Sequence, residues 1–442
     1  MADKRSGRWR LARLGVFASG DFAFNLYWQS IMLYLLFYYT EVLHLPIEVA
    51  AATYLVASVW DGLISFAVGF IADQRYAARY FRRALIFGAA PLGLSFILAY
   101  WPPPGSGMLR LALILTGHLF LRTAYAWVNI PYLTMSARIS TLSHERALVA
   151  GMRMLAGAAA GVVVATGTRH IGFWLTGDYD ARSYSVSASL FALCATLLLI
   201  VVGLSYRDDA LPPEHQAHTM PALLHAAFRN RAFTTLCGAM MAMTIAVTVL
   251  NKSVLYFFKY SVGDQNIGQL TLGSMMTMSA VAVPFWTFCA RQIGVRALWL
   301  LTTVLCVCAL MALLLLQPKG ATSVALFLIL IQGIIAGLNL AVWAMMPDTV
   351  EFGQAISGVR AEATLYGLLA LFQRVAIGLG TGLLGFSLGS AGFVSGTHPT
   401  SATLTALRMA MILIPCVFFC LAGVIIFYNP LRRDTHDALV LR

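Results

Sequence analysis

Residues 297–317 read ALWLLTTVLCVCALMALLLLQ, 21 positions without an Asp, Glu, Lys or Arg. A helix rises 1.5 Å per residue, so about 20 apolar residues cross the hydrocarbon layer of a bilayer. Lipid offers the backbone no water, and a continuous helix satisfies its own amides. The stretch therefore predicts a membrane-spanning helix. Outward from it lie further apolar runs at Leu14–Thr40, Ile47–Asp73, Ala84–Trp101, Leu109–Ser136, Ala147–Ile171, Tyr184–Ser205, Ala232–Ser261, Ile267–Ala290, Ala321–Met346, Ala361–Leu388 and Ala402–Tyr428, twelve segments in all. The expected fold class is all-α integral membrane, with twelve transmembrane helices.

Composition agrees. The 442 residues are 60% hydrophobic and 11% charged, whereas a soluble domain carries about a quarter of its residues as charges. A multi-domain soluble protein is excluded. The start, MADKRSGRWRLAR, is basic, but the run after it holds Asp21 and Gln29 and lacks a small-residue cleavage site. It reads as a retained first helix rather than a signal peptide. The longest polar stretch, Tyr206–Arg231, contains Pro212, Pro213 and Glu214. It divides the chain into an N-terminal six-helix half (1–205), a central cytoplasmic loop (206–231) and a C-terminal six-helix half (232–442) with a short cytoplasmic tail. Paired halves are the plan of secondary transporters, whose site lies near the midplane. The repeat leaves a weak trace: Gly69-Phe-Ile-Ala-Asp73 with Arg82-Arg83 after the second segment, and Cys289-Ala-Arg291 to Arg296 after the eighth.

The net charge of +12 raises the question of a nucleic-acid partner, which the location of the charge answers. Of the 30 Lys and Arg residues, 20 fall on the N-terminus, the even-numbered loops and the tail, including Arg13, Arg75, Arg82, Arg229, Arg291 and Arg432. Six fall on the opposite side, and Arg122, Arg153, Lys252 and Arg374 lie within segments. Positive loops face the cytoplasm. The basic balance thus describes topology: both termini cytoplasmic in a plasma (bacterial inner) membrane, and no nucleic acid bound. The seven cysteines all lie in apolar runs without a metal-type pair, and read as core thiols.

Six ionisable residues remain at membrane depth: Asp21, Asp61, Arg122, Arg153, Lys252 and Arg374. Each costs about 2.5–3.5 kcal/mol near a helix centre on insertion scales, so they must pair or face water. Asp21 and Asn25 share a helix face one turn apart; a carboxylate and an amide can together hold several hydroxyls, as a sugar presents. Asp61 has Ser65 at i+4, a pair able to hold a proton or to give two oxygens to Na⁺. Arg122, Tyr125 and Asn129 form a polar stripe ending at Pro131. Arg153 precedes Gly157-Ala-Ala-Ala-Gly161, whose small side chains suit close helix packing. Lys252 and Arg374 are cations able to face the carboxylates, for gating or charge pairing. Four cations against two carboxylates leave a surplus that an anionic substrate would offset. The aromatics Tyr27, Trp28, Tyr34, Phe37, Tyr38 and Tyr39 read chiefly as interface anchors, with one or two able to stack on a sugar.

With these residues in view, the chain resembles the glycoside/pentoside/hexuronide:cation symporters, the melibiose permease group of the major facilitator superfamily. The resemblance rests on Gly20-Asp21-Phe-Ala, Tyr38-Tyr39-Thr40-Glu41, Trp60-Asp61-Gly, Asn129-Ile-Pro131-Tyr132, Arg153, Tyr256-Phe-Phe-Lys-Tyr260 and Asp348-Thr-Val-Glu-Phe-Gly353 through Arg360-Ala-Glu362 to Arg374. It implies the major facilitator fold, substrate binding by Asp21 and Arg153, ion coupling at Asp61, and a coupling cation at Arg374. Two departures alter the expectation. Ser65 stands where Na⁺-using members carry a second aspartate, which favours H⁺ over Na⁺, and Asn129 replaces a further aspartate, which favours a different substrate. Arg374, commonly lysine, cannot be deprotonated in practice and acts as a fixed counter-charge.

The expected function is alternating-access symport of a sugar, glycoside or sugar acid with a cation. Substrate-binding residues are Asp21, Asn25, Tyr125, Asn129 and Arg153; coupling-ion residues Asp61 and Ser65; gating residues Arg122, Lys252 and Arg374. No cofactor or metal is called for, and the partners are a small-molecule substrate and the bilayer, with the chain acting as a monomer. Rivals are transport of an anionic lipid or amphiphile on the same fold, uncoupled facilitation and, more remotely, a membrane enzyme acting on lipid-linked substrates. The orientation has a direct test: an N-terminal tag should be reachable by antibody only after the membrane is permeabilised, and labelling on intact cells would overturn it.

Overall fold

The computed structural model describes residues 2–74, 78–139, 143–206, 220–318, 320–357 and 362–431, and all regular structure among them is helical. In order the helices are α1 (Ala2–Ser30), α2 (Ile47–Gln74), α3 (Ala78–Ala99), α4 (Gly107–Arg138), α5 (Ser143–Thr176), α6 (Ala181–Ser205), α7 (Met220–Arg229), α8 (Arg231–Phe257), α9 (Gln265–Ile293), α10 (Val295–Leu316), α11 (Ala321–Ser357), α12 (Glu362–Ser390) and α13 (Ser401–Phe427). Eleven helical spans among the described residues are long and apolar enough to cross a membrane. The remaining expected segment, the first, is helical as well: α1 runs on through π-helical turns at Ile31–Leu35 and Tyr38–Val42. Asp21, Asn25, Gln29 and Ser30 dilute its hydropathy. The short α7 occupies the end of the central loop, so the seventh to twelfth segments are α8–α13.

One expected boundary moves clearly: α11 continues past Met346 and Pro347 to Ser357, whereas α4 runs through Pro131 to Arg138, close to the expected end at Ser136. A proline removes one donor from the ladder, and inside a bundle neighbouring side chains and helices accommodate the loss. Thr134 and Thr349 hydroxyls donate to the carbonyls of Ile130 and Met345 at 3.1 and 2.8 Å, so these polar side chains are satisfied on their own helices. The aromatic series is also corrected. Tyr27, Tyr34, Tyr38 and Tyr39 are fully buried rather than interfacial. Their bodies fill the interior while hydroxyls bond across helices, Tyr27 to the Ala192 carbonyl at 3.3 Å and Tyr38 to that of Tyr100 at 2.8 Å. Of the seven cysteines, all free thiols, Cys194, Cys308 and Cys420 are exposed instead of in the core. They sit among outward-facing Leu193, Leu197, Leu305 and Leu421, an apolar exterior suited to lipid.

The helices cluster into two compact units, Met1–Leu45 with Leu63–Glu214 and Pro46–Gly62 with His215–Arg442. In the first, α1 packs on α5 and α6, and α3 on α4 and α6; in the second, α8 packs on α13, α12 and α11, and α11 on α9 and α10. The leading helix of each six ends in a π-helical turn, Tyr38–Val42 and Phe258–Val262, closed by bonds from the Leu43 and Gly263 N–H groups to the carbonyls of Tyr38 and Phe258.

The unit boundary differs from the expected division at 205, because residues 46–62 of α2 belong with the second unit. Glycines on α12 explain it. A Cβ at Gly378 would lie 3.0 Å from that of Ser58, at Gly385 2.2 Å from the Cβ of Ala51, and at Gly389 against the Glu48 side chain, while on α2 itself a Cβ at Gly62 would lie 3.2 Å from the Leu371 carbonyl. Spaced seven and four apart, these α12 glycines form one bare stripe on which the first half of α2 lies backbone to backbone. The contact sets the register of α2 against α12 along some three turns. Gly385→Val should drive the two helices apart. A fall in thermal stability of the purified protein together with loss of transport is expected, the strain being on the order of 1–3 kcal/mol; wild-type melting and uptake would count against this packing.

Candidate functional site

The six intramembrane charges fall into four arrangements. In the first unit Arg153 Nε is ion-paired and hydrogen-bonded to Asp21 Oδ2, and the two side chains are 18% and 17% exposed. The Tyr132 hydroxyl donates to the Phe17 carbonyl at 2.9 Å and reaches the same Asp21 oxygen at 3.3 Å. The Arg153 guanidinium also lies over the Tyr132 ring, 5.1 Å from its centroid. Gly20 makes room for this ring: a Cβ there would come 2.6 Å from Tyr132 Cε2. The pair is therefore braced by an aromatic on α4 yet remains partly reachable, so its free donors and acceptors can meet hydroxyl groups.

Asn25 does not reach outward beside the Asp21 carboxylate as expected. Its amide donates to the Asp21 backbone carbonyl at 2.9 Å, and it is seated where Gly157 has no side chain, 2.9 Å from the position a Cβ would take. The small-residue stretch after Arg153 thus serves close approach of α1 and α5. Tyr125 and Asn129 are nearly buried. Tyr125 meets the edge of Phe24 at 5.8 Å and the Trp28 ring at 5.9 Å, both on α1.

The second carboxylate pair lies in the other unit. Asp61 is fully buried, and its Oδ2 is 3.4 Å from Nη1 of Arg374 on α12. The glycine stripe begins one turn beyond Arg374, so the helix contact that sets the register also sets this pair. Ser65 is buried one turn further along α2.

The two remaining cations sit on aromatic faces. The Arg122 guanidinium carbon is 5.4 Å from the Trp28 ring centroid, and Lys252 Nζ is 3.9 Å from that of Tyr54. A cation over an aromatic face gains about 0.5–2 kcal/mol, more when desolvated. Arg122 and Lys252 each gain in this way a quadrupole contact that offsets part of the cost of burying a cation. Sequence reasoning missed Tyr132, Tyr54 and His118. His118 and Tyr132 extend the Arg122 stripe in both directions, since 118, 122, 125, 129 and 132 recur at four- and three-residue intervals; that periodicity is the signal that would have found them. Among the described residues no cluster of His, Cys, Asp and Glu could hold a metal ion.

Helices of membrane-spanning length that carry a partly reachable ion pair among them are features a membrane transporter uses. The chain belongs to the MFS/sugar transport protein family, which it matches over residues 16–433. It is 26% identical to the glucuronide carrier protein homolog of Escherichia coli (strain K12), over 96% of this chain and 93% of that one. It is 24% identical to a putative sulfoquinovose importer of the same strain, over 96% and 91%. The crystal structure of a D-xylose-proton symporter superposes with a TM-score of 0.67 at 13% identity, covering 95% of this chain and 98% of that one. The fold is that of the major facilitator transporters.

Removing one partner of a buried ion pair strands the other at about 3–5 kcal/mol, whereas removing both is far milder. Arg374→Met should therefore lower the melting temperature, and adding Asp61→Asn should restore most of the loss. Equal melting of the single and double variants would show that the pair contributes nothing.

Proposed function

We propose that the protein imports a sugar, glycoside or sugar acid together with a proton by alternating access, acting as a monomer with both termini in the cytoplasm. The observation that carries the reading is the contrast between two carboxylate–arginine pairs: Asp21–Arg153 is partly open, whereas Asp61 opposite Arg374 is fully buried. The open pair offers an acceptor and a donor fork to a hydroxylated ring, with the buried Tyr132 bracing it from behind. The second pair offers a fully buried carboxylate, beside a partly exposed Arg374, whose charge state decides whether a helix contact holds.

A proton arriving on Asp61 removes one charge of the pair, so α2 and α12 lose the attraction between Asp61 and Arg374 that exists only while Asp61 is ionised. Ligands drive a conformational cycle only through such differences between states. Ser65 supplies a hydroxyl where a second carboxylate would be needed to hold Na⁺ strongly, which supports the proton as coupling ion. The names of the relatives, a glucuronide carrier homolog and a sulfoquinovose importer, support a sugar acid or related glycoside as cargo.

Purified protein screened by thermal shift against neutral glycosides, sugar acids and sulfosugars, with and without Na⁺, should be stabilised by at least one sugar independently of Na⁺. In vesicles, Asp61→Asn should exchange that sugar but fail to accumulate it against a gradient, while Asp21→Ala should lose binding by on the order of tenfold or more, the scale of a charged hydrogen bond. Accumulation by Asp61→Asn with unchanged pH dependence would remove Asp61 from the coupling site, and unaltered binding by Asp21→Ala would remove Asp21 from the sugar site.

A further inference from the structure

His118 and Arg122 form a second polar arrangement on α4 that the coupling scheme above does not use. Arg122 Nε donates to His118 Nε2 at 3.2 Å, and both side chains are buried, at 1% and 0% exposure. A guanidinium has donors and no acceptor, so Nε2 must present its lone pair and His118 is neutral, with its proton on Nδ1. A proton on Nε2 cannot coexist with this bond. Its arrival would replace the Arg122 N–H at the lone pair and set two cations side by side out of water.

We propose that His118 is a second proton-binding residue of the transport cycle, whose protonation turns Arg122 away to receive the anionic group of a sugar acid. This rests on the sugar-transport reading and names its substrate class. The direction of release follows from the contacts. The guanidinium already lies on Trp28, Trp28 meets Tyr125, and Tyr125 meets Phe24 on the helix that carries Asp21. An arginine freed from His118 has this aromatic track leading toward the Asp21–Arg153 pair, and a carboxylate is the group its planar fork binds bidentately. The imidazolium brings one positive charge and the substrate one negative, so the proton and the anion neutralise each other.

Ionisable groups among the described residues near His118 include, on α4, Arg122 and, two turns back, Arg110. The π-helical turn after α1 places Tyr39 edge-on at 5.9 Å and carries buried Glu41 two residues further. α3, packed along α4, has no ionisable side chain between Ala84 and Ala99. Of these groups only an imidazole has an ordinary titration range between pH 5 and 8.

The test uses full-length protein carrying Asp61→Asn, which removes that carboxylate's own titration, with methyl glucuronide and neutral methyl glucoside as probes. Glucuronide affinity should rise by about tenfold per pH unit at most between pH 8 and 6, as linkage to one proton requires, while glucoside affinity stays flat. His118→Gln, which can still accept from Arg122 but cannot be protonated, should flatten the glucuronide profile. Arg122→Gln should abolish the preference for the glucuronide while leaving the glucoside bound, and it decides the question should His118→Gln fail to fold. A glucuronide profile that keeps its slope in either variant, or a slope shared by the glucoside, overturns the proposal alone. Failure of wild type to bind any glycoside overturns the sugar reading and this inference with it.

Discussion

Everything in this structure turns on the cost of charge in a low-dielectric layer. Asp21, Asp61, Arg122, Arg153, Lys252 and Arg374 lie inside the apolar runs, and each finds a contact that offsets its desolvation: Asp21 with Arg153, Asp61 with Arg374, Arg122 with His118 and Trp28, Lys252 with Tyr54. Such contacts do little for stability compared with well-packed apolar residues of the same size. Their value lies in being breakable. A proton or a substrate that alters one partner changes which helix contacts persist, which is what a transporter needs and a merely stable bundle does not.

The backbone is arranged around these pairs by the absence of side chains as much as by their presence. The glycines of α12 let the first half of α2 lie close enough for Asp61 to meet Arg374, and Gly20 lets the Tyr132 ring reach Asp21. In both places a small residue and a charge are neighbours in sequence, Gly62 beside Asp61 and Gly20 beside Asp21. Close approach brings a helix partner into reach of a short carboxylate side chain. The buried tyrosines complete the arrangement by bonding across helices to carbonyl groups, which holds α1 against α3, α4 and α6 without adding charge.

Much was legible before any coordinates. Apolar run length marked the helices because the bilayer imposes one length on all of them, and Arg153 and Arg374 stood out because charge is so rare in such runs. The pairing Asp61–Arg374 was readable as an expectation from the family resemblance, in which the position of Arg374 is a counter-charge to the coupling carboxylate. What escaped was orientation. Asn25 shares a face with Asp21 but folds back on its own helix; Lys252 lies over the Tyr54 ring, a contact no local pattern announced; Tyr27, Tyr34, Tyr38 and Tyr39 looked like interface anchors and are core.

Sequence by itself determined that this chain spans a membrane, how many segments do so, and which charged residues are held inside, because those follow from hydropathy, length and scarcity along one dimension. Only the tertiary structure decided which charge meets which, that residues 46–62 pack with the second unit, and that His118 stands against Arg122. These depend on the rotation and register of each helix about its axis. Register is set by glycine gaps and aromatic bulk on neighbouring helices far apart in the chain, where no local pattern records it.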